Sequence, residues 1–242
     1  MPRTGRLLLD GGIYHVLARG NNGQRIFHAI EDYRTYLNLL VKQKHDQRLK
    51  LYHFVLMPNH VHLIVEAAEG ASLSKAMLKI NLGYSLYYRR RRQYQGHLWQ
   101  GRFKSLLIDR EQYLLACGRY VERNPVRAGL APTPAAYPWS SYAVYASGSS
   151  TSLVDLNPLY AAFGTSQAQR QQQYRRFVEE ELHGDYADSF LHDQFIGSAA
   201  FIQQMRSRFG LSTRRPRGRP RKIAAPAVMT AEKSETSRIS GG

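Results

Sequence analysis

"LMPNHVHLIVE" (residues 56–66) sets His60 and His62 one residue apart inside an otherwise apolar run. Strand alternation puts His60, His62, Ile64 and Glu66 on one face and Val61, Leu63 and Val65 on the other. The second face can bury against helices, which leaves the histidine face looking into a cleft. The preceding run, "LKLYHFVLM" (49–57), reads as another strand, and "MPN" between the two as a short turn. Residues 49–66 therefore form an antiparallel hairpin, around which the rest of the chain is arranged.

Upstream, "GGIYHVLARG" (11–20) is rich in Ile, Tyr and Val after paired glycines and reads as a strand. "EDYRTYLNLLVKQKHD" (31–46) spaces Tyr33, Tyr36, Leu37, Leu40 and Val41 as one face of a helix. Downstream, Ser72 can cap a long helix with the stripe Leu73, Ala76, Met77, Ile80, Tyr84 and Tyr87. That helix runs out into "RRRR" (89–92) and the loop "QYQGHLWQGRF" (93–103). "KSLLID" (104–109) is a further strand, and "EQYLLACGRYVERN" (111–124) a helix stopped by Pro125. Strand, helix, hairpin, helix, strand, helix is an α+β order, an antiparallel sheet with helices mainly on one face.

A first folded unit is expected over residues 1–135, its core ending near Leu130, followed by the Pro-rich crossing "APTPAAYPWSS" (131–141). A helical extension over 136–211 contains "QAQRQQQYRRFVEEEL" (167–182) and "DQFIGSAAFIQQMRSRF" (193–209). Residues 212–242 are rich in Pro, Arg, Ser and Ala without apolar periodicity, the composition of a disordered tail. There is no internal repeat.

The 242 residues are 43% hydrophobic, enough for a real core, and the formal charge of +16 points to a polyanionic partner. A membrane is the weakest candidate, because no apolar run approaches the ~20 residues of a spanning helix. The first residues carry only three consecutive leucines, too few for a signal-peptide core. A single cysteine, Cys117, excludes an intrachain disulfide and a Cys-cluster zinc site, and a reduced cytoplasmic compartment is expected.

Side chains two apart on one strand face sit ~6–7 Å from each other, so His60 and His62 could reach a single cation. They could equally be two satisfied histidines at a strand start. Cupins and histidine-triad hydrolases also carry closely spaced histidines, but the latter want a third where Ile64 stands. A metal site would need another ligand from elsewhere. On 111–124, Tyr120 and Asn124 are four apart and share a helix face, whereas the neighbour one turn after Tyr113 is Cys117. Arg119, Arg123 and Arg127 flank Tyr120. A phenol with an ordinary pKa of ~10 needs help to become a nucleophile, and guanidinium groups favour the phenolate. Most of the sixteen tyrosines must be packing residues, so Tyr120 is not distinguished by its position alone.

Arg89, Arg90, Arg91 and Arg92, then Trp99, Arg102, Phe103 and Lys104, interleave cations with aromatic rings. Such a surface tracks phosphates and stacks unpaired bases at ~1–3 kcal/mol each. Its rival is a solvated basic helix end with Trp99 and Phe103 in the core. "ARGNNGQRIF" (18–27) adds Arg19 and Arg25 around a Gly/Asn turn that could read a hairpin or guide sequence. In the tail, six of the nine residues of "RRPRGRPRK" (214–222) are cationic. The "PRGRP" within it, bearing Arg217 and Arg219 and followed by Arg221, looks like an AT-hook for a narrow A·T minor groove. The alternative is a basic tail that adds affinity through counterion release.

"PNHVHLIV" (58–65), "GHLWQGRFKS" (96–105) and "YLLACGRYVERNPVRAGL" (113–130) together resemble the single-tyrosine transposases of the HUH endonuclease superfamily. The REP-associated tyrosine transposases are the subgroup most similar, and "YHVLARGNNGQRIF" (14–27) and "YPWSSY" (137–142) look like them too. The resemblance spans about residues 8–145. It implies a ferredoxin-like sheet, in agreement with the element order. It also implies His60 and His62 as metal ligands, Asn124 as the third, where insertion-sequence relatives usually carry glutamine, and Tyr120 as the nucleophile. The implied reaction is nicking and joining of single-stranded DNA, hairpin or REP-like, through a 5′-phosphotyrosine and a free 3′-OH. The implied metal is Mg²⁺ or Mn²⁺, although imidazole ligands also suit Zn²⁺, Ni²⁺ and Cu²⁺. Insertion-sequence relatives are dimers that exchange the tyrosine helix, while REP-associated members resemble monomers; a monomer is expected here, with a dimer as the alternative. Two other classes remain open: a non-catalytic REP-hairpin-binding protein, and a metal-dependent phosphoesterase using activated water.

Overall fold

Leu49–Met57 (β2) and His60–Ala67 (β3) form the expected hairpin, with Met57 opposite His60 and Leu49 opposite Ala67. The computed structural model describes residues 6–109, 113–180 and 194–211. Gly12–Arg19 (β1) pairs antiparallel with β3, and on its other side with Lys104–Ile108 (β4). Phe195–Ile196 (β5) adds in parallel to β4, giving a mixed five-stranded sheet of order β2-β3-β1-β4-β5. This last pairing departs from the expected helix over 193–209, which shrinks to Ala199–Arg208 (α6). The open edge of β4 supplies main-chain partners that make extended backbone the better state for Phe195 and Ile196. Ser198 then starts the helix, its hydroxyl accepting from the Phe201 N–H at 3.2 Å.

One face of the sheet, with Val16, Leu63 and Val65, is covered by Ile30–Asp46 (α1) and Gly70–Arg92 (α2). The other face, with Ile13, Val55, Ile64 and Leu106, is not left open. Leu114–Arg127 (α3) lies against it through Leu114, Cys117 and Val121, an apolar stripe that has to be buried somewhere. A bulge in β2 between Leu51 and His53 breaks the alternation and turns both Tyr52 and His53 toward α3.

Two expected helix ends move. α2 begins at Gly70 rather than at Ser72: the Gly70 N–H donates to Asp10 Oδ1, and a Cβ there would stand 2.6 Å from the Leu9 backbone nitrogen. Pro125 does not stop α3, which continues to Arg127. A proline so close to the end removes one bond, and the turn still closes through the Ala128 N–H to the Asn124 carbonyl.

Packing continues across residue 135. The segment 137–142 runs along the outer edge of β2, where the Leu56 N–H donates to the Trp139 carbonyl and the Ser141 N–H to the Phe54 carbonyl. It covers an edge that would otherwise offer unpaired groups to another chain. Tyr142–Ser147 (α4) and Gln167–Glu179 (α5) follow, and Tyr145, Tyr160 and Tyr174 join the cluster that includes the sheet. The tail at 212–242, with Arg217, Arg219 and Arg221, lies outside the described residues.

Candidate active site

His60 and His62 leave the start of β3 on the α3 side of the sheet, their ring centroids 4.9 Å apart and nearly perpendicular. α3 lays Tyr120 beside His62, the two rings edge-on at 6.0 Å between centroids. Tyr120 is only 8% exposed, and its ring is covered by the Arg127 guanidinium at 4.9 Å. Asn124, one turn on, donates from Nδ2 to the Tyr120 carbonyl at 3.0 Å, which leaves its amide oxygen as the group to offer a ligand.

A third imidazole stacks on His62, one that spacing along the chain did not single out. His15 Nε2 lies 2.8 Å from His62 Nδ1, with the two rings stacked at 5.0 Å and the His15 ring 6.1 Å from that of Tyr120. The ladder sets Leu17 opposite His62, which places His15 on the diagonal of the same face. The available signal was the alternation of "IYHVLAR", but only the register of β1 on β3 turns it into a contact.

Burial disfavours the charged form of each ring. It holds His15 down at about 3, and His60, beside Arg19, at about 4. His62 is pushed well below the ordinary imidazole value by burial, then by His15, His60 and Arg127. All three rings are neutral at physiological pH, the state in which imidazole can ligate a cation.

α3 is held in this position by a buried polar knot. Glu122, between Tyr120 and Asn124, is fully buried, and it accepts from Ser141 Oγ at 2.7 Å and Tyr174 Oη at 2.8 Å. His53 Nδ1 lies 3.0 Å from the same carboxylate, and Asn157 Nδ2 is 3.1 Å from His53 Nε2.

Residues 10–124 match the model of a family described as IS200-like transposases. That part of the chain belongs to the family. No curated protein sequence matches it. Among solved structures, a REP-associated tyrosine transposase bound to a REP hairpin is similar at a TM-score of 0.53 and 20% identity, over 64% of this chain and 95% of that one. A protein of Deinococcus radiodurans R1, described as a transposase candidate, aligns at a TM-score of 0.36 and 16% identity over 50% and 97%. The first likeness is one of fold.

The transposase site has a donor set that suits a divalent cation. Among the described residues no three His, Cys, Asp or Glu side chains gather as a metal cluster, and the donors present are the imidazoles of His60 and His62. His60 Nδ1 is 2.6 Å from Asn59 Oδ1, an acceptor that puts the ring proton on Nδ1 and the lone pair on Nε2. Nε2 of neither His60 nor His62 is bonded to another described residue.

The cations expected to hold DNA divide into two groups in this transposase. Arg19, exposed and opposite His60 in the ladder, and the exposed Arg127 both border the site. Arg25 is exposed beyond β1, with its Nε donating to the Phe27 carbonyl at 2.9 Å. Arg90, Arg102 and Lys104 are exposed, and Arg89 donates to the Gly96 carbonyl at 2.9 Å. Arg91 and Arg92 turn back onto Glu31 and Asp32, with Arg92 2.8 Å from Asp32. Arg119 and Arg123 turn away from Tyr120 to the end of α5, donating to the Phe177 and Val178 carbonyls at 3.1 and 2.8 Å. Trp99 is half-buried, its ring against Tyr36 and Tyr84 and its Nε1 donating to the Asn81 carbonyl at 2.9 Å. Phe103 is buried under Arg6. No helix among the described residues is long and apolar enough to cross a membrane.

Proposed function

We propose that this transposase nicks and rejoins single-stranded DNA by attack of Tyr120 on a phosphodiester. The observation that carries this reading is the placement of the Tyr120 ring 6.0 Å from His62, with His60 and His62 paired at 4.9 Å. A divalent cation, Mg²⁺ or Mn²⁺, held by His60, His62 and Asn124, would polarise the scissile phosphate. Tyr120 Oη attacks phosphorus and loses its proton; a bond from phosphorus to the tyrosine oxygen forms. The bond to the 3′ oxygen breaks, and that oxygen leaves as a free hydroxyl after taking up a proton. The 5′-phosphotyrosine conserves the phosphodiester linkage, so a later 3′-OH reseals the strand by the reverse exchange.

Arg127, lying on the phenol ring, and Arg19, beside His60, would hold phosphates next to the scissile bond. The DNA is proposed to be a REP-like hairpin with a single-stranded flank, as the fold likeness suggests. The test is to incubate the protein with end-labelled hairpin DNA and Mg²⁺ or Mn²⁺ and run denaturing gels. A protein-linked band that is absent for Tyr120→Phe supports the proposal. Hydrolysis that survives Tyr120→Phe would transfer the activity to a water-using phosphoesterase, and hairpin binding without cleavage would leave a DNA-binding protein.

A further inference from the structure

We infer that His15 is a positioning residue that fixes the tautomer of His62 and so aims the Nε2 lone pair of His62 at the cation. The inference rests on the metal-assisted reading above and specifies how this chain prepares its second imidazole ligand. His15 is 1% exposed and His62 5% exposed, and their nitrogens are 2.8 Å apart. Two neutral rings at that distance share one proton along the line between them. If His15 Nε2 carries it, His62 Nδ1 accepts, the single ring proton of neutral His62 sits on Nε2, and no lone pair faces the cation. If His62 Nδ1 carries it, His15 Nε2 accepts and His62 Nε2 is free to ligate. Only the second arrangement serves a metal, and it requires His15 to hold its own proton on Nδ1.

A neutral imidazole left to itself favours the proton on Nε2, so the ligating tautomer of His62 needs an acceptor at Nδ1. His60 obtains one from Asn59 Oδ1. His62 is opposite Leu17 and Val55 in the sheet, whose side chains offer no acceptor, and the nitrogen within reach of its Nδ1 is that of the diagonal neighbour His15. Partners of this kind commonly contribute 10- to 100-fold to metal affinity.

The experiment uses the full chain, with His15→Gln, whose side-chain oxygen can still accept from Nδ1, and His15→Phe, which keeps a ring but cannot. Two readouts are independent of turnover: ¹⁵N shifts of the histidine rings in metal-free protein, and Mn²⁺ affinity by titration calorimetry. The expected result is a protonated Nδ1 on His62 in the wild type and in His15→Gln. His15→Phe should shift that proton to Nε2 and weaken Mn²⁺ binding by on the order of 10- to 100-fold, with His15→Gln within a few-fold of wild type. If His15→Phe does not fold, the wild-type ring shifts and the Gln variant decide: an Nε2 proton on His62 in the metal-free wild type overturns the inference. Equal Mn²⁺ affinity in all three proteins overturns the role of His15 while leaving the metal site standing. A wild type that keeps the Nδ1 proton yet binds no Mn²⁺ overturns the metal site and this role with it.

Discussion

Single residues in this transposase are set by what surrounds them more than by their type. Tyr120 belongs to the apolar cluster of Cys117 and Val121, yet its ring also meets two imidazoles and a guanidinium. Because its packing is carried by the ring, Tyr120→Phe should keep the melting temperature within a few degrees of wild type while abolishing the covalent DNA adduct. Thermal melting beside the gel assay checks both halves. Cys117, one turn before it on α3, is fully buried, and burial pushes its thiol up from the ordinary range. It should be inert to a thiol-specific chromogenic reagent in the native protein and react with a stoichiometry of about one in denaturant. Fast native-state reaction would show that α3 lifts from the sheet.

At the scale of elements, α3 decides whether the site exists. Gly118 lets it approach β2: a Cβ there would stand 2.6 Å from His53 Nε2. Alanine would gain ~1 kcal/mol of helix propensity and lose more to the clash, so Gly118→Ala should cost about 1–2 kcal/mol net. Its melting temperature should fall by several degrees. Glu122→Ala would strand the donors of Ser141 and Tyr174 and the partner of His53 in a dry interior, a loss of about 3–5 kcal/mol in denaturant unfolding. A loss below 1 kcal/mol would mean the knot does not hold α3. We propose a monomer rather than a dimer exchanging α3. Light scattering giving a dimer mass at micromolar concentration would count against it.

Across the whole molecule, 34 Lys and Arg stand against 18 Asp and Glu, and some of these cations are held internally by Glu31, Asp32 and the carbonyls at the end of α5. Among the exposed cations, Arg19, Arg25, Arg90, Arg102, Lys104 and Arg127 are the ones expected to set the salt dependence of DNA binding. Alanine at Arg19 or Arg25 should lower hairpin affinity several-fold in filter binding, and unchanged affinity would remove the 18–27 loop from the interface. Deleting residues 212–242 should weaken binding to A·T-rich duplex more than to G·C-rich duplex. Equal losses would leave only counterion release by a basic tail.

The hairpin at 49–66, both long helices and the pairing of Tyr120 with Asn124 were legible because each is written in local periodicity: two for strands, between three and four for helices. The histidine pair was legible for the same reason, being two positions apart on one strand. What tertiary structure alone decided is where those local faces meet. Nothing in residues 111–127 says that α3 crosses the histidine face, that Arg119 and Arg123 turn toward α5, or that Pro125 sits harmlessly in a last turn. Nothing near residue 195 announces a fifth strand, since the edge it pairs with lies some ninety positions earlier. His15 shows the limit most plainly: its contact with His62 depends on the register between β1 and β3, a quantity no local pattern contains.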